Sequence, residues 1–352
     1  MRAVVLREHG GPEVLRVEDV PDPTPGPDEA LVRVRASSVN HSDVGQRIGP
    51  GPQPVFPWGA YELPRIPGVD VAGEIVEVGP EVDDVAPGDP IVVYSQLYCG
   101  RCAECRIGET SRCLQLRLFG KHRDGGHAEL TTVPVRNLLR LPRGFSFEQA
   151  AAVPVAYTTA WRMLIVAAEL RPGEDVLVVG GGGVSVAALQ IAVRAGARVF
   201  MASRSQAKLA RARELGAHAT FPLTGGHLTD GDFSPHVLEA SNGRGVDVVA
   251  DPVGAATWPA SIRSLARGGR LVVCGASGGA HPAFDIRELY QRHRQILGAP
   301  MGSLRDFAAV LSLVTRGEIV PVIDRVLPLD QIAEAHRVLD AGEQFGKVIL
   351  RI

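Results

Sequence analysis

Apolar residues along this chain follow two rhythms, and the change comes near residue 150. Before it, short runs are separated by turn residues. Positions 30–36, 70–78, 89–94 and 128–134 each read as a strand. Strands this short and this frequent predict a barrel-like β domain. The stretch 48–67 holds six prolines together with Phe56, Trp58 and Tyr61. Such proline density forbids regular structure. It predicts a long surface loop whose aromatics either line a cleft or pack on their own domain.

From residue 146 the pattern lengthens. Positions 147–153 and 158–168 read as Ala-rich helices. Strand and helix then alternate: strand 175–179, helix 184–195, strand 197–201, helix 206–215, strand 219–221, strand 246–251, helix 256–266 and strand 270–274. Strands that are apolar almost throughout are covered on both faces, so the α/β alternation predicts a doubly wound parallel sheet. The tail predicts helices over 304–315 and 329–340 and a strand over 347–351 that can return to the first domain.

One βα turn carries chemistry. The run Val176-Leu-Val-Val-Gly180-Gly-Gly-Gly183-Val184-Ser185 leaves a strand and opens a helix. It fits the dinucleotide pattern with Gly180, Gly182 and the small residue Ser185 in its three slots. The first glycine permits the tight turn, the second lets backbone approach a pyrophosphate, and the third slot lets helix and strand pack closely. Gly183 and Val184 open the helix, whose free N–H groups face the phosphates. The tip of the next strand reads Met201-Ala202-Ser203-Arg204-Ser205, with Lys208 one turn on. No carboxylate stands there to hold a ribose 2′-hydroxyl. A hydroxyl, a guanidinium and an ammonium suit a 2′-phosphate, so the expected cofactor is NADPH. The alternative is that Arg204 and Lys208 are solvated charges at a helix start.

Four of the five cysteines, Cys99, Cys102, Cys105 and Cys113, follow the spacing C-x2-C-x2-C-x7-C. Four closely spaced thiolates supply a tetrahedral Zn²⁺ shell with no open position, which makes the expected metal, one Zn²⁺, structural. Two disulfides are the competing reading, disfavoured in a reducing compartment. Composition narrows the rest. The 352 residues suffice for two domains, and 45% hydrophobic with 22% charged residues is ordinary for a globular chain. A net charge of −2 offers no electrostatic case for nucleic acid or an anionic membrane. The opening Met1-Arg-Ala-Val-Val-Leu soon meets Arg7, Glu8 and His9, too short an apolar run for a signal peptide, so the expected location is the cytoplasm.

Together these features resemble the medium-chain dehydrogenase/reductase superfamily, which holds zinc alcohol dehydrogenases and quinone oxidoreductases. The resemblance spans essentially the whole chain. It rests on Met1-Arg-Ala-Val-Val, Gly10-Gly-Pro-Glu-Val-Leu15, Gly68-Val-Asp-Val-Ala-Gly-Glu-Ile-Val-Glu-Val-Gly79, Pro87-Gly-Asp89, the cysteine lobe, the glycine-rich turn and Phe345-Gly-Lys-Val-Ile-Leu350. It implies a GroES-like β-barrel catalytic domain over 1–153, with the zinc lobe at about 95–115. A Rossmann domain over 154–299 and a segment 300–352 completing the first domain follow, with the active site in the cleft. It also implies a homodimer or homotetramer joined through Rossmann edge strands near 270–276, and a small-molecule substrate.

Zinc-dependent members hold a catalytic metal through a Cys, a His in a Gly-His-Glu motif, and a second Cys. The matching positions here read Asn40 in Asn40-His41-Ser42-Asp43, Val69 in Gly68-Val69-Asp70, and Val155 ahead of Ala-Tyr-Thr-Thr159. The resemblance therefore implies that the structural zinc is kept and the catalytic zinc lost. Without that Lewis acid, hydride delivery favours an activated acceptor such as an enone, quinone or enoyl compound, whose developing oxyanion needs hydrogen-bond donors. Candidate donors are Asn40, Ser42, Tyr61 and Tyr157, while Asp43 and Asp70 are expected to orient neighbours. By family position His41 is expected near the pyrophosphate, Thr159 near the nicotinamide and Lys347 near the phosphates. His122 and His127, beside Gly125-Gly126, are left without a role. The rival readings are a zinc-independent carbonyl reductase on the same scaffold and a nucleotide-binding regulatory protein without turnover.

Overall fold

The structure, a computed structural model, describes residues 1–49, 62–223 and 232–352. The chain divides into two compact units, Met1–Val155 with Ser303–Ile352, and Ala156–Gly302.

The first unit is built around the strand Glu29–Val39, whose 11 residues outrun any single partner. Asp70–Val78 pairs antiparallel along one side of it. On the other side Leu130–Pro134 takes the first half and Lys347–Arg351 the second. The sheet order is Ile323–Pro328, Lys347–Arg351, Glu29–Val39, Asp70–Val78, Pro90–Val93, Leu138–Arg140, with Leu130–Pro134 as a branch. Ladder irregularities at Leu31/Val32 and Val34/Ala36 allow the long strand to bend between its neighbours. Its inward residues Ala30, Val32 and Val34 join Val71, Ile75, Ile91, Val93, Phe119 and Val133 in one core. A second core packs Val39, Val348 and Leu350 against Ile332, Ala335, Val338 and Leu339 of the helix Ile332–Asp340. The spacing of those four residues is the stripe a surface helix turns inward.

The second unit is a six-stranded parallel sheet in the order Ala219–Pro222, Arg198–Ser203, Asp175–Val179, Val246–Asp251, Leu265–Val273, Gln295–Gly298. Numbered along the chain this is 3-2-1-4-5-6, the order of a dinucleotide-binding sheet, with its switch point beside Asp175–Val179. Every residue of that strand is buried, as a central parallel strand requires.

Several expectations change. The strand expected over 270–274 runs instead over Leu265–Val273 and has neighbours on both sides, so it is not an edge. The sheet's edges are Ala219–Pro222 and Gln295–Gly298. The helix expected over 158–168 is an α-helix Ala156–Trp161 continued by a wider π-type turn, Arg162–Ala167. The helices His41–Ile48 and Ser234–Ala240 and the strand Ile323–Pro328 were not read from sequence, because their short apolar patterns are broken by polar residues. The loop read over 48–67 falls largely outside the described residues, as does Tyr61.

Candidate active site and metal centre

Three strands bring one polar cluster together. Ser38 lies opposite Asp70 in the ladder of Glu29–Val39 with Asp70–Val78. Val348 lies opposite Val39 on the other side. Register alone therefore places Asn40, Asp70 and Lys347 at the same end of the sheet. Lys347 is 3% exposed and Asp70 fully buried.

Asp70 organises the cluster. Its Oδ2 accepts from Ser38 Oγ at 2.6 Å, Asn40 Nδ2 at 2.8 Å and Lys347 Nζ at 3.2 Å. Its Oδ1 accepts from the Val155 backbone N–H at 3.0 Å. Lys347 Nζ also donates to Asn40 Oδ1 at 2.5 Å and to the Val39 carbonyl at 3.3 Å. An ammonium has three protons, and each has an acceptor here. Lys347 was expected at the cofactor phosphates. The structure instead places its ammonium between Asn40 and Asp70, because strand pairing carries the side chain there and leaves no proton over.

Asn40 is the N-cap of His41–Ile48 and closes a capping box with Asp43. Asp43 Oδ2 accepts the Asn40 backbone N–H at 2.8 Å. Burial pushes the Asp43 carboxyl up to about 6, against the opposing pull of Lys121. Lys121 is itself buried, donates to the Ser42 carbonyl at 2.7 Å, and is pushed down to about 8 by desolvation. Ser42 is half-buried and His41 exposed in the first turn of the same helix. His127 is buried beneath this segment, its Nδ1 3.0 Å from Ser37 Oγ, and burial lowers it to about 3. His122 Nδ1 accepts the Leu118 N–H at 2.9 Å.

This set does not fit a catalytic divalent metal. Val69 and Val155 offer no side-chain ligand, Asn40 Oδ1 and the Asp70 carboxylate are already engaged, and a buried ammonium stands beside them.

In the second unit, Gly180 has φ +95°, a left-handed conformation for which glycine is suited. A Cβ there would lie 2.9 Å from Ser185 Oγ, which donates to the Val179 carbonyl at 2.8 Å. The third slot of the pattern is thus a small residue tied back to the strand. Gly182 caps the helix Gly183–Arg194, and Val184 lies in its first turn. A Cβ on Gly181 would meet Lys208 Cδ at 2.8 Å and Ser203 Oγ at 3.6 Å, so Lys208 and Ser203 stand beside the glycine turn. Arg204 is exposed next to them. Thr159 is buried in Ala156–Trp161. Tyr157 was expected as a substrate donor. It is 1% exposed and its hydroxyl donates to Gln190 Oε1 at 2.6 Å, a bond between helices that removes it from that role.

The cysteine lobe converges. The ligand atoms of Cys99, Cys102, Cys105 and Cys113 lie within 4.8 Å of one another. Cys99 Sγ and Cys105 Sγ are 4.0 Å apart. Zn–S bonds of about 2.3 Å put tetrahedral sulfurs at about this separation. Backbone N–H groups point at the sulfurs, Cys99 to Cys113 Sγ at 3.2 Å and Cys102 to Cys99 Sγ at 3.4 Å. Backbone donors lower Cys102 to about 6, whereas burial and the neighbouring thiols push Cys105 up to about 12. The donor set and its shape fit a structural tetrahedral ion.

Comparison with known proteins agrees with this geometry. The alcohol dehydrogenase GroES-like domain profile matches residues 26–143, and the zinc-binding dehydrogenase profile matches residues 183–316. A zinc-type alcohol dehydrogenase-like protein of Schizosaccharomyces pombe is 33% identical, covering 100% of this chain and 99% of the relative. The chain is a medium-chain dehydrogenase/reductase. A crystal structure described as an NAD-dependent alcohol dehydrogenase matches this member of the family with 42% identity and a TM-score of 0.92, covering 100% of both chains. An acryloyl-coenzyme A reductase of Metallosphaera sedula is 32% identical over 99% of both chains. As a medium-chain dehydrogenase/reductase the chain is an oxidoreductase with a GroES-like domain and a Rossmann sheet. Among the described residues no helix is long and apolar enough to cross a membrane.

Sequence reasoning named Asn40, the glycine turn and the four cysteines. It gave Asp70 only an orienting part and missed that Ser38 and Lys347 complete its cluster. The signal was present in one place. Two serines and an asparagine interrupt an apolar strand at Ser37-Ser38-Val39-Asn40, and buried polar side chains there need partners.

Proposed function

We propose that this enzyme is an NADPH-dependent reductase of activated C=C bonds in an enone, quinone or enoyl-type substrate, working without a catalytic metal. The observation that carries the reading is the replacement of all three metal-ligand positions, by Asn40, Val69 and Val155, around a carboxylate already paired with an ammonium. The acryloyl-coenzyme A reductase among its relatives supports the class of acceptor. NADPH supplies hydride when bound. In conjugate reduction the hydride adds to the β-carbon, the C=C electron pair moves toward the carbonyl, and a proton then reaches the α-carbon. Charge grows on the carbonyl oxygen, and the residues that matter are those that donate to it. Asn40 Nδ2 is the foremost donor, and Ser42 Oγ is the second.

Ser203, Arg204 and Lys208 support NADPH over NADH, since they offer donors and positive charge to a 2′-phosphate where a carboxylate would repel it. We further infer one structural Zn²⁺ on Cys99, Cys102, Cys105 and Cys113. The second reading is a metal-independent carbonyl reductase, favoured by the likeness to the structure described as an alcohol dehydrogenase. Reduction of an enone with NADPH deuterated at C4 separates the two. Deuterium at the β-carbon is expected, and deuterium on the carbonyl carbon favours the second reading. NADPH binding with no turnover on either acceptor leaves a regulatory nucleotide-binding protein.

A further inference from the structure

The polar cluster asks why a lysine and an aspartate are buried beside an asparagine that already has backbone to cap. Two charges taken from water are costly unless their partners are complete, and here they are. The ammonium has Asn40 Oδ1, Asp70 Oδ2 and the Val39 carbonyl. The carboxylate has Ser38, Asn40, Lys347 and the Val155 N–H. The Asn40 amide bridges the pair, its oxygen on the cation and one N–H on the anion.

Two consequences follow for that amide. Its orientation is unambiguous, because a flip would put NH₂ against ammonium and oxygen against carboxylate. It is also polarised. The ammonium at its oxygen draws electron density from nitrogen to oxygen and sharpens the remaining N–H as a donor, while the carboxylate on the other N–H anchors the amide in place. That remaining proton has no acceptor among the described residues.

We propose that Lys347 and Asp70 are positioning residues that hold the Asn40 amide with its second Nδ2 proton directed at the substrate oxygen, and so take over the orienting part that metal ligation plays in zinc-bearing relatives. This rests on the reading of Asn40 as the oxyanion donor. Lys347 touches neither substrate nor cofactor. It acts through Asn40, and the ion pair leaves the site with no net charge that a bound metal would have to displace.

The test is a double-mutant cycle between Lys347 and Asn40 on purified full-length enzyme, with 4-phenyl-3-buten-2-one and NADPH. Lys347→Met is expected to lower kcat about tenfold or more through loss of alignment, with the Kd for NADPH unchanged within about twofold. Lys347→Arg, which keeps the cation, is expected to recover most of the loss. In an Asn40→Leu background the further change Lys347→Met is expected to cost little, since the residue through which it acts is gone. A lone buried carboxylate could unfold the single variant, so Asp70→Asn with Lys347→Met removes both charges and is expected to show the same loss in kcat at native melting temperature. A folded double variant with wild-type kcat overturns the proposal, as does a full additive effect of Lys347→Met in Asn40→Leu. Weakened NADPH binding with unchanged kcat also overturns it, and returns Lys347 to the phosphates. If wild type reduces only aldehydes or ketones, the C=C reading falls. The cycle then runs on that acceptor, because charge develops on a carbonyl oxygen in both reactions.

Discussion

At His336 a single ring shows how burial becomes pH dependence. The residue is fully buried on the helix Ile332–Asp340, and neither ring nitrogen has a hydrogen-bond partner among the described residues. Burial, helped by His127 and Arg47, pushes it down to about 3. His127 falls to about 3 as well, through burial and the charge of Lys347. Both lie below the ordinary value near 6.5, so each folded ring prefers to be neutral. Their contribution to stability is complete above pH 6.5 and is lost as pH falls toward 3, at about 1.4 kcal/mol per pH unit for each ring. His336→Leu, which removes one such ring, is expected to flatten the decline in urea-unfolding free energy between pH 6.5 and 5 by about one proton. Parallel curves for wild type and variant would falsify the assignment. The cofactor tip is the other residue-scale case. Arg204→Ala is expected to weaken NADPH by about 1–3 kcal/mol, roughly 5- to 150-fold in Kd, and to change NADH little. Ser203→Asp is expected to shift preference toward NADH. Equal loss for both cofactors in Arg204→Ala makes Arg204 a solvated charge. Arg204 and Ser203 were legible in sequence because their place follows from a local strand–turn–helix pattern. His336 was not, since a histidine in an amphipathic helix gives no sign of which face a distant strand will cover.

At the scale of elements, the cysteine lobe is nearly without regular structure of its own. The helix Ala103–Arg106 has four residues and the 3₁₀ turn Thr110–Arg112 has three. Elements this short cannot hold themselves together, and an ion bound by the four thiolates would supply the cross-links. Elemental analysis is expected to return one zinc per chain. Binding at such a site is worth about 10 kcal/mol of local folding, so Cys105→Ser is expected to make the lobe susceptible to proteolysis while NADPH affinity changes little. Two zincs per chain, or a chelator that abolishes turnover without loosening the lobe, contradicts the single structural site. The element carrying the candidate donor behaves differently. The helix His41–Ile48 was invisible in sequence, since polar Ser42, Asp43, Gln46 and Arg47 mask its pattern. Asp43, Gln46 and Arg47 are buried nonetheless, and Arg47 Nη1 reaches Asp340 at 2.9 Å. Tertiary partners, not an apolar stripe, hold that helix.

At the scale of the whole molecule, we expect a dimer or tetramer. The edge strand Gln295–Gly298 is preceded by Phe284, Ile286 and Tyr290, which are 37%, 66% and 62% exposed. An open edge beside exposed apolar side chains is a surface that proteins normally cover. Sedimentation at micromolar concentration is expected to give at least twice the chain mass, with Ile286→Glu shifting it toward monomer, and a monomeric wild type overturns the expectation. The sequence alone determined what depends on local order: the strand–turn–helix rhythm, the glycine turn with its small third slot, the four thiols of one loop, and the missing metal ligands at Val69 and Val155. Tertiary structure decided where side chains end when their neighbours are remote in the chain. Lys347 meets Asn40 across 307 positions, through the pairing of the last strand with Glu29–Val39. Tyr157 is taken by Gln190, 33 residues on. Spacing along a chain fixes torsions and turns, whereas the fate of a buried polar group is set by whichever partners the fold brings within hydrogen-bond reach.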